Sequence, residues 1–389
     1  MRTIAHFVSP YLFRTGSWIH AQLVHAQETR PIVLAHELET PEAFPFHPLF
    51  FILEGAGWLP RLRNRLGYIA GRYDPSPCLP ILRRENAELI HAHLGWAGSR
   101  TLGVARAAGL PLVTSFYGRD AGILPRYPWW RRRFTRLFRE GNAFLVEGPA
   151  LGRRLESLGC PPEKIRVVHL GIDPERIPFR ERRPASDGAI EILVSASLRP
   201  KKGVPQAVEA FAAVADRFPQ ARLHILGDGP LRPQVEHAIR RHRLAARVVL
   251  EGYVDYTRHL AALQTAHLFL APSRTAPDGD TEGGAPVALI EAQAAGLPVV
   301  STRHADIPEI VAEGAGLLSP EYDEAALAEN LGRLLADPAR WPGMGRAGRG
   351  HVERGFAIRT QVRRTEAIYD EILRARAPLK PRAASPRGG

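Results

Sequence analysis

Residues 271–301 read APSRTAPDGDTEGGAPVALIEAQAAGLPVVS, and this stretch decides the fold. An apolar run closes near Ala271, and a polar loop follows through Asp278, Asp280 and Glu282. Two glycines, Gly283 and Gly284, then precede Pro286 and Val287. Proline suits the first turn of a helix, where an amide would go unbonded anyway. Gly296 and Pro298 stop the helix, so a short helix over 287–295 is predicted between two strands. Free amides at such a start, beside glycines with no side chain, can approach a phosphate or a sugar hydroxyl closely. Glu282 lies just ahead of the helix and Glu291 about one turn inside it, both within reach of one crevice. Taken alone, the same residues fit a plain helix cap with a solvated glutamate equally well.

Outward from this segment, short apolar runs alternate with amphipathic stretches along the chain. Strands are predicted at 2–8, 31–35, 89–93, 112–116, 143–146 and 165–170, then at 190–195, 222–226, 248–250, 268–270 and 298–301. Helical periodicity fills the gaps, for example over 204–218, 231–241 and 324–336. Such alternation implies parallel sheets covered by helices on both faces, an α/β class. The interruption is 180–188 (RERRPASDG), charged and turn-rich, which reads as a linker between two Rossmann-like domains of 1–179 and 189–356. A last helix over 357–376 is expected to pack back on the first domain, and the basic, Pro/Gly-rich tail 377–389 is expected to be disordered. Ligands of facing α/β domains bind beyond the carboxyl ends of the strands, so the chemistry belongs in the loops that follow them.

Composition narrows the class. The 389 residues are 45% apolar and 24% charged, which suits a globular protein and excludes collagen, coiled coil and general disorder. Two cysteines, Cys78 and Cys160, cannot build a disulfide framework, and no Cys/His spacing matches zinc. No apolar run reaches the roughly 18–20 residues of a membrane span, and His6, Pro10 and Arg14 interrupt the first apolar stretch, so a cytoplasmic compartment is expected. The net charge of +12 is uneven: residues 1–180 carry 24 basic and 15 acidic side chains, a surplus of 9. That half therefore faces or tolerates something anionic, whether nucleic acid, lipid headgroups or substrate.

The carboxylate–glycine segment resembles the signature of the family 4 glycosyltransferases, an E-x7-E pair followed by A-x-A-x-G-x-P-V-V. Here eight residues, GGAPVALI, separate the two glutamates, and the glycine loop is where the extra one fits. The resemblance implies a GT-B fold of two Rossmann-like domains across a cleft. It places Glu282 near the donor sugar and Glu291 near the nucleotide ribose, with Gly283, Gly284, Pro286 and Val287 lining the donor. After the strand at 190–195, SLRPKKG (197–203) resembles the family's R-x4-K-G diphosphate clamp. Lys202 takes the lysine position. The arginine position falls on Ser197, so Arg199, two residues on, is expected to reach in its place.

Three first-domain loops match more loosely. Thr15-Gly16-Ser17 follows the first strand, where the family places a glycine loop beside donor and acceptor. His91-Ala-His93-Leu-Gly95 resembles H-x-H-x-G, with His91 read as a core histidine and His93 as a site candidate. Ser115-Phe-Tyr117-Gly-Arg-Asp120 resembles T-F-H-G-x-D, with Tyr117 in the histidine position. Its hydroxyl can donate to a sugar or phosphate but carries no cationic form. Glu147-Gly148 reads as a helix cap near the acceptor side. Glu282, Tyr117, Asp120 and His93 are thus the catalytic candidates.

By resemblance the chain is most like enzymes of colanic-acid-type exopolysaccharide assembly. It is expected to move a sugar from a UDP- or GDP-sugar to a glycan or lipid-linked acceptor, with retention and without a metal or other cofactor. Asp278, Asp280 and Glu282 leave a Mg²⁺ site as the alternative. A glycoside hydrolase using Glu282 and Glu291 would have no use for a diphosphate clamp. A basic nucleic-acid-binding protein would show a recognition motif, and none is present. Two arginine-rich aromatic stretches, 126–139 and 58–73, read either as solvated faces or as contacts with an anionic membrane surface.

Overall fold

The computed structural model describes residues 1–12, 16–69, 71–284 and 286–376. Thr15 and the tail 377–389, both singled out above, lie outside the described residues. The first sheet holds β1 (Arg2–Phe7), β2 (Thr29–Ala35), β3 (Leu49–Phe51), β4 (Ala87–His93), β5 (Leu112–Phe116), β6 (Ala143–Val146) and β7 (Ile165–Val167), in the order β3-β2-β1-β4-β5-β6-β7. The second holds β8 (Ile190–Ser195), β9 (Ala221–Leu226), β10 (Val248–Gly252), β11 (Leu268–Ala271), β12 (Val299–Thr302) and β13 (Gly316–Ser319), in the order β10-β9-β8-β11-β12-β13. Every pairing is parallel, which explains strands such as β5 (LVTSF) that are buried at all positions: helices cover both faces. The short strands β3 and β13 are only partly buried, and the sequence alone did not reveal them.

In each sheet the strand order reverses once, between β1 and β4 and between β8 and β11. Those switch points open a crevice at the carboxyl ends of the strands, where Lys202 follows β8, Glu282 follows β11, Tyr117 follows β5 and His93 ends β4. The first core packs Phe7, Phe116, Phe138 and Phe144 with Phe134 of the Pro128–Glu140 helix; the second packs Phe211, Leu223 and Trp341. Phe134, Leu137 and Phe138 are therefore core residues, so the apolar face of 126–139 is not a free surface.

The chain passes between the sheets at two adjacent points. Ile172 pairs with Ala357 in an isolated bridge, and Ile172 and Ile177 already belong to the second domain's core. The predicted linker 180–188 thus does not separate the cores. Its Arg182 is buried and donates to the carbonyls of Leu263, Gln264, Ala266 and Ala295, strapping the segment to the second domain. After Ala357 the helix Ile358–Arg376 returns to the first sheet, where Tyr369 packs with Ile4, Leu89 and Val113. Glu366 fixes it there by accepting from the amides of Gln27, Glu28 and Thr29 at 2.9–3.0 Å. No helix among the described residues is long and apolar enough to cross a membrane.

Candidate functional site

The second-domain wall is built around Glu282. Gly203 adopts φ +62°, and a β-carbon there would lie 2.0 Å from the Pro272 carbonyl oxygen, so only glycine lets the chain pass this close. That passage sets Lys202, in the single turn Pro200–Lys202, against the loop after β11. Lys202 Nζ lies 2.8 Å from Glu282 Oε1 and 2.9 Å from Oε2, while Ser273 Oγ donates to Oε1 at 2.9 Å. Burial pushes the Glu282 carboxyl up, but Lys202, Lys201 and the Ser273 hydroxyl outweigh it and hold the group below its usual range. Glu282 is therefore an anion. Its amide donates to His304 Nε2 at 3.1 Å, and His304 Nδ1 donates to Glu321 at 2.8 Å, which fixes the histidine tautomer.

Arg199, which the resemblance put in the arginine role, reaches neither carboxylate of this wall. It is exposed and in no ion pair among the described residues. Lys201 stands in the site instead, at 3.3 Å from Asp280 Oδ1 and 2.9 Å from the Thr281 carbonyl. Asp280 and Glu282 are thus each committed to a lysine, and Asp278 accepts from the Asp280 amide, so the three acids do not converge as a free carboxylate set.

Glu291 lies in the helix Val287–Ala294, one residue shorter than expected, with Pro286 as its extended N-cap rather than its first helical residue. Tyr256 donates to Glu291 Oε1 and His259 Nε2 to Oε2, both at 2.9 Å, and Ser195 Oγ bonds His259 Nδ1 at 2.9 Å. At the end of this chain of bonds Ser195 lines a cavity together with Ala196, Lys202, Ser273, Pro286 and Val287. Lys202 joins the two carboxylate centres by lining the cavity and binding Glu282.

The glycine loop does something the sequence did not predict. A β-carbon on Gly283 would lie 2.3 Å from the Tyr117 carbonyl, and one on Gly284 would lie 2.4 Å from Glu147 Cβ. The loop meets first-domain backbone there, so its glycines admit the opposite wall of the cleft. Around that contact the carboxyls cluster. Burial, then Asp120, Glu282 and Asp306, push Glu147 well above its usual range.

On the first-domain side, the side chains of all three catalytic candidates turn inward. Asp120 is wholly buried and accepts from the amides of Gly95 (2.7 Å), Tyr117 (3.1 Å) and Ala121 (3.2 Å), tying the loop after β5 to the helix Gly95–Ala108. Burial raises it to about 6, against those amide bonds. His93 is buried, with Nε2 3.0 Å from His6 Nδ1 and Nδ1 2.7 Å from the Tyr117 hydroxyl; burial keeps it neutral. The Tyr117 phenol therefore bonds into the first domain, and at this position it is the backbone that faces the second. His91 is the core histidine expected, between Tyr369 and Ser115 at 2.6 and 2.7 Å. Gly16 caps the helix Ser17–Val24, whose Trp18 ring lies 5.9 Å from that of Tyr117. Glu147 stands at the cleft, on the side where the sequence put it, while Lys201, Ser273 and His304 stand in the site with little to mark them in sequence. For Lys201 the repeated lysine of RPKKG was the one signal.

The chain is similar to known proteins along most of its length. A family described as Glycosyl transferases group 1 matches residues 175–351, and one described as Glycosyltransferase Family 4 matches residues 20–176. A putative colanic acid biosynthesis glycosyltransferase of Escherichia coli is 38% identical over 261 residues, 65% of this chain and 63% of that protein. The matched stretch therefore spans less than two thirds of that relative's length. An amylovoran biosynthesis glycosyltransferase of Erwinia amylovora is 35% identical over 292 residues, 74% of this chain and 70% of that protein. Among solved structures, the Anabaena HepE protein in complex with UDP aligns with a TM-score of 0.74 at 18% identity, covering 95% of this chain and all of that one. Sucrose-phosphate synthase of Thermosynechococcus elongatus aligns with the same score at 17% identity, over 96% and 100%. The chain belongs to the family 4 glycosyltransferases and has the GT-B fold.

Proposed function

We propose that this family 4 member transfers a sugar from a UDP- or GDP-sugar to a glycan or lipid-linked acceptor, with retention, in the assembly of an exopolysaccharide on the cytoplasmic side of the membrane. The observation that carries the reading is the pair of lysines at the cleft, Lys201 and Lys202, each held by a carboxylate, with Lys202 lining a cavity at the start of the helix that carries Glu291. A departing nucleoside diphosphate gathers negative charge as the glycosidic bond breaks. Lysines already fixed at that point stabilise it without reorganising, an electrostatic contribution that exceeds what the same charges give in water. The amides at the start of Val287–Ala294 add donors on the same side. Glu282, kept anionic, suits stabilisation of positive charge developing on the sugar.

The named relatives act in colanic acid and amylovoran synthesis, and solved neighbours hold UDP and UDP-glucose, which supports the donor class and the pathway type. The hydrolase alternative needs one of the two carboxyls to donate a proton, whereas both oxygens of Glu282 face Lys202 and those of Glu291 accept from Tyr256 and His259. The test is a panel of UDP- and GDP-sugars, read as thermal stabilisation and as slow donor hydrolysis. Stabilisation by one nucleotide series, lost in Lys202→Ala, supports the assignment. Absence of binding to every donor in both series refutes it.

A further inference from the structure

We infer that the helix Trp58–Ile69 is an interfacial helix that lays the first domain on an anionic lipid bilayer. Its sequence, WLPRLRNRLGYI, would ordinarily turn its apolar side inward. The structure shows the reverse. Asn64 and Gly67 are its buried residues, with Pro60 half-buried on the same face. Leu59, Leu62, Leu66 and Ile69 recur at i, i+3, i+7 and i+10, and so form one stripe on the side away from those three. That stripe is open: Ile69 is 71% exposed, Leu66 58%, and Trp58 at the helix start 76%. What lies beneath the helix is polar. Asn64 is buried beside His36 at the end of β2, whose ring stacks at 3.8 Å on Tyr73. The apolar stripe therefore contributes little to the core.

Charge selects the occupant. Arg61 and Arg65 flank the stripe on one side and Arg63 on the other, and the helix contains no acidic residue. Arg61 donates to the Ala56 carbonyl; none of the three is ion-paired among the described residues. A second copy of this helix would set arginines against arginines. A bilayer with anionic headgroups satisfies both features, burying the stripe at the acyl boundary while the arginines stay among the phosphates. The neighbouring helix Pro128–Glu140 extends the surface. Arg100 bridges them by stacking on Tyr68 at 3.8 Å, and the exposed Tyr127 and Trp129 rings stack at 4.8 Å. That helix is the lesser contributor, because its apolar face is core and Glu140 binds Arg136 and Arg139. This inference stands apart from the donor assignment and concerns a different surface.

The experiment is co-sedimentation of the full chain with vesicles of phosphatidylcholine alone and with about a third phosphatidylglycerol. Binding is expected only to the second, weakening with salt. Leu62→Asp with Leu66→Asp should lower it at least tenfold, and Arg63→Gln and Arg65→Gln roughly fivefold each. Trp129→Ser should have a smaller effect. All these positions are exposed, so an unchanged melting temperature and unchanged nucleotide-sugar binding should accompany the loss. Equal binding to neutral vesicles, no binding to anionic ones, or loss confined to Trp129→Ser overturns the inference. So does a dimer in solution that the Leu62 and Leu66 changes dissociate, since a second copy would then cover the stripe. Failure of donor binding with vesicle binding intact refutes the proposed function alone.

Discussion

Asp306, in the loop after β12 of the second domain, accepts a hydrogen bond at 2.7 Å from the amide of Ala150, in the first turn of a first-domain helix. A carboxylate from one domain thus caps the helix Pro149–Ser157 of the other. The fit requires Gly148, where a β-carbon would sit 2.3 Å from Asp306 Cγ. An anion at a helix start satisfies orphan amides and meets the positive end of the dipole. Asp306→Ala should therefore loosen the domain contact and cost about 1–2 kcal/mol, with Asp306→Asn losing less because it keeps an acceptor. Thermal melting and small-angle scattering measure the two effects. A variant that matches the parent in both would show that the cap contributes nothing.

Asp120 gives a pH dependence of known sign. Burial lifts it from 3.8 to about 6, so the folded chain binds this proton more tightly than the unfolded one. The stability it contributes is fully present below pH 4 and is lost as pH rises through 6, for a total of roughly 3 kcal/mol. Asp120→Asn, though less stable through weaker amide bonding, should lack this term. The stability difference between parent and variant should then shrink between pH 4 and 7 in denaturant titrations. A constant difference across that window would contradict the assignment.

Most of this architecture was legible because parallel strands buried on both faces read as apolar runs between amphipathic helices. The 324–336 helix, for instance, lies where its periodicity put it. The Glu282–Glu291 segment was legible because glycine, proline and two carboxylates leave few local structures open. What stayed hidden depends on contacts between distant residues. Tyr117 matched a motif position, yet only the fold brings His93 to its hydroxyl. Lys201 and Arg199 are both basic residues of one loop, and only the single turn Pro200–Lys202 brings Lys201 to Asp280. The open stripe of Trp58–Ile69 has the same pattern as a packed helix, so its orientation could not be read.

That single turn yields a direct test. Arg199 is exposed while Lys201 is bonded to Asp280 and Thr281 beside the cleft. Arg199→Ala should change donor affinity by no more than about threefold, within the worth of a surface charge. Lys201→Ala should weaken it about tenfold or more, through one charge-assisted hydrogen bond. Isothermal titration with the preferred nucleotide sugar compares them. The reverse order would restore Arg199 to the clamp.

Lys202 serves both the fold and the ligand, and the two roles separate by mutation. Lys202→Ala leaves Glu282 buried without its cation and should cost about 3 kcal/mol of stability. Adding Glu282→Gln should recover much of that loss without recovering donor affinity. Affinity should fall about 10- to 150-fold in Lys202→Ala, and similarly in Glu291→Ala, from the loss of a charged hydrogen bond. Recovery of donor binding in the double variant would mean that Lys202 acts only on Glu282. Unchanged affinity in both single variants would remove the cavity from the donor site.

The last expectation concerns metal. A Mg²⁺ site needs carboxylate oxygens that converge and are free to ligate. Here Asp280 Oδ1 faces Lys201, and both oxygens of Glu282 face Lys202. A cation brought to this loop would have to displace an ammonium group from each carboxylate, leaving two lysines beside a dication. The lysines and the amides at the start of Val287–Ala294 already supply the positive field that a departing diphosphate needs. Turnover should therefore survive EDTA, and Asp278→Asn should retain activity to within about threefold, as expected for an exposed acid whose bond is to the Asp280 amide. The measurement is the rate of sugar transfer or donor hydrolysis before and after chelation. Complete loss of rate, restored by Mg²⁺ or Mn²⁺, would show that the two lysines yield their carboxylates to a metal during catalysis.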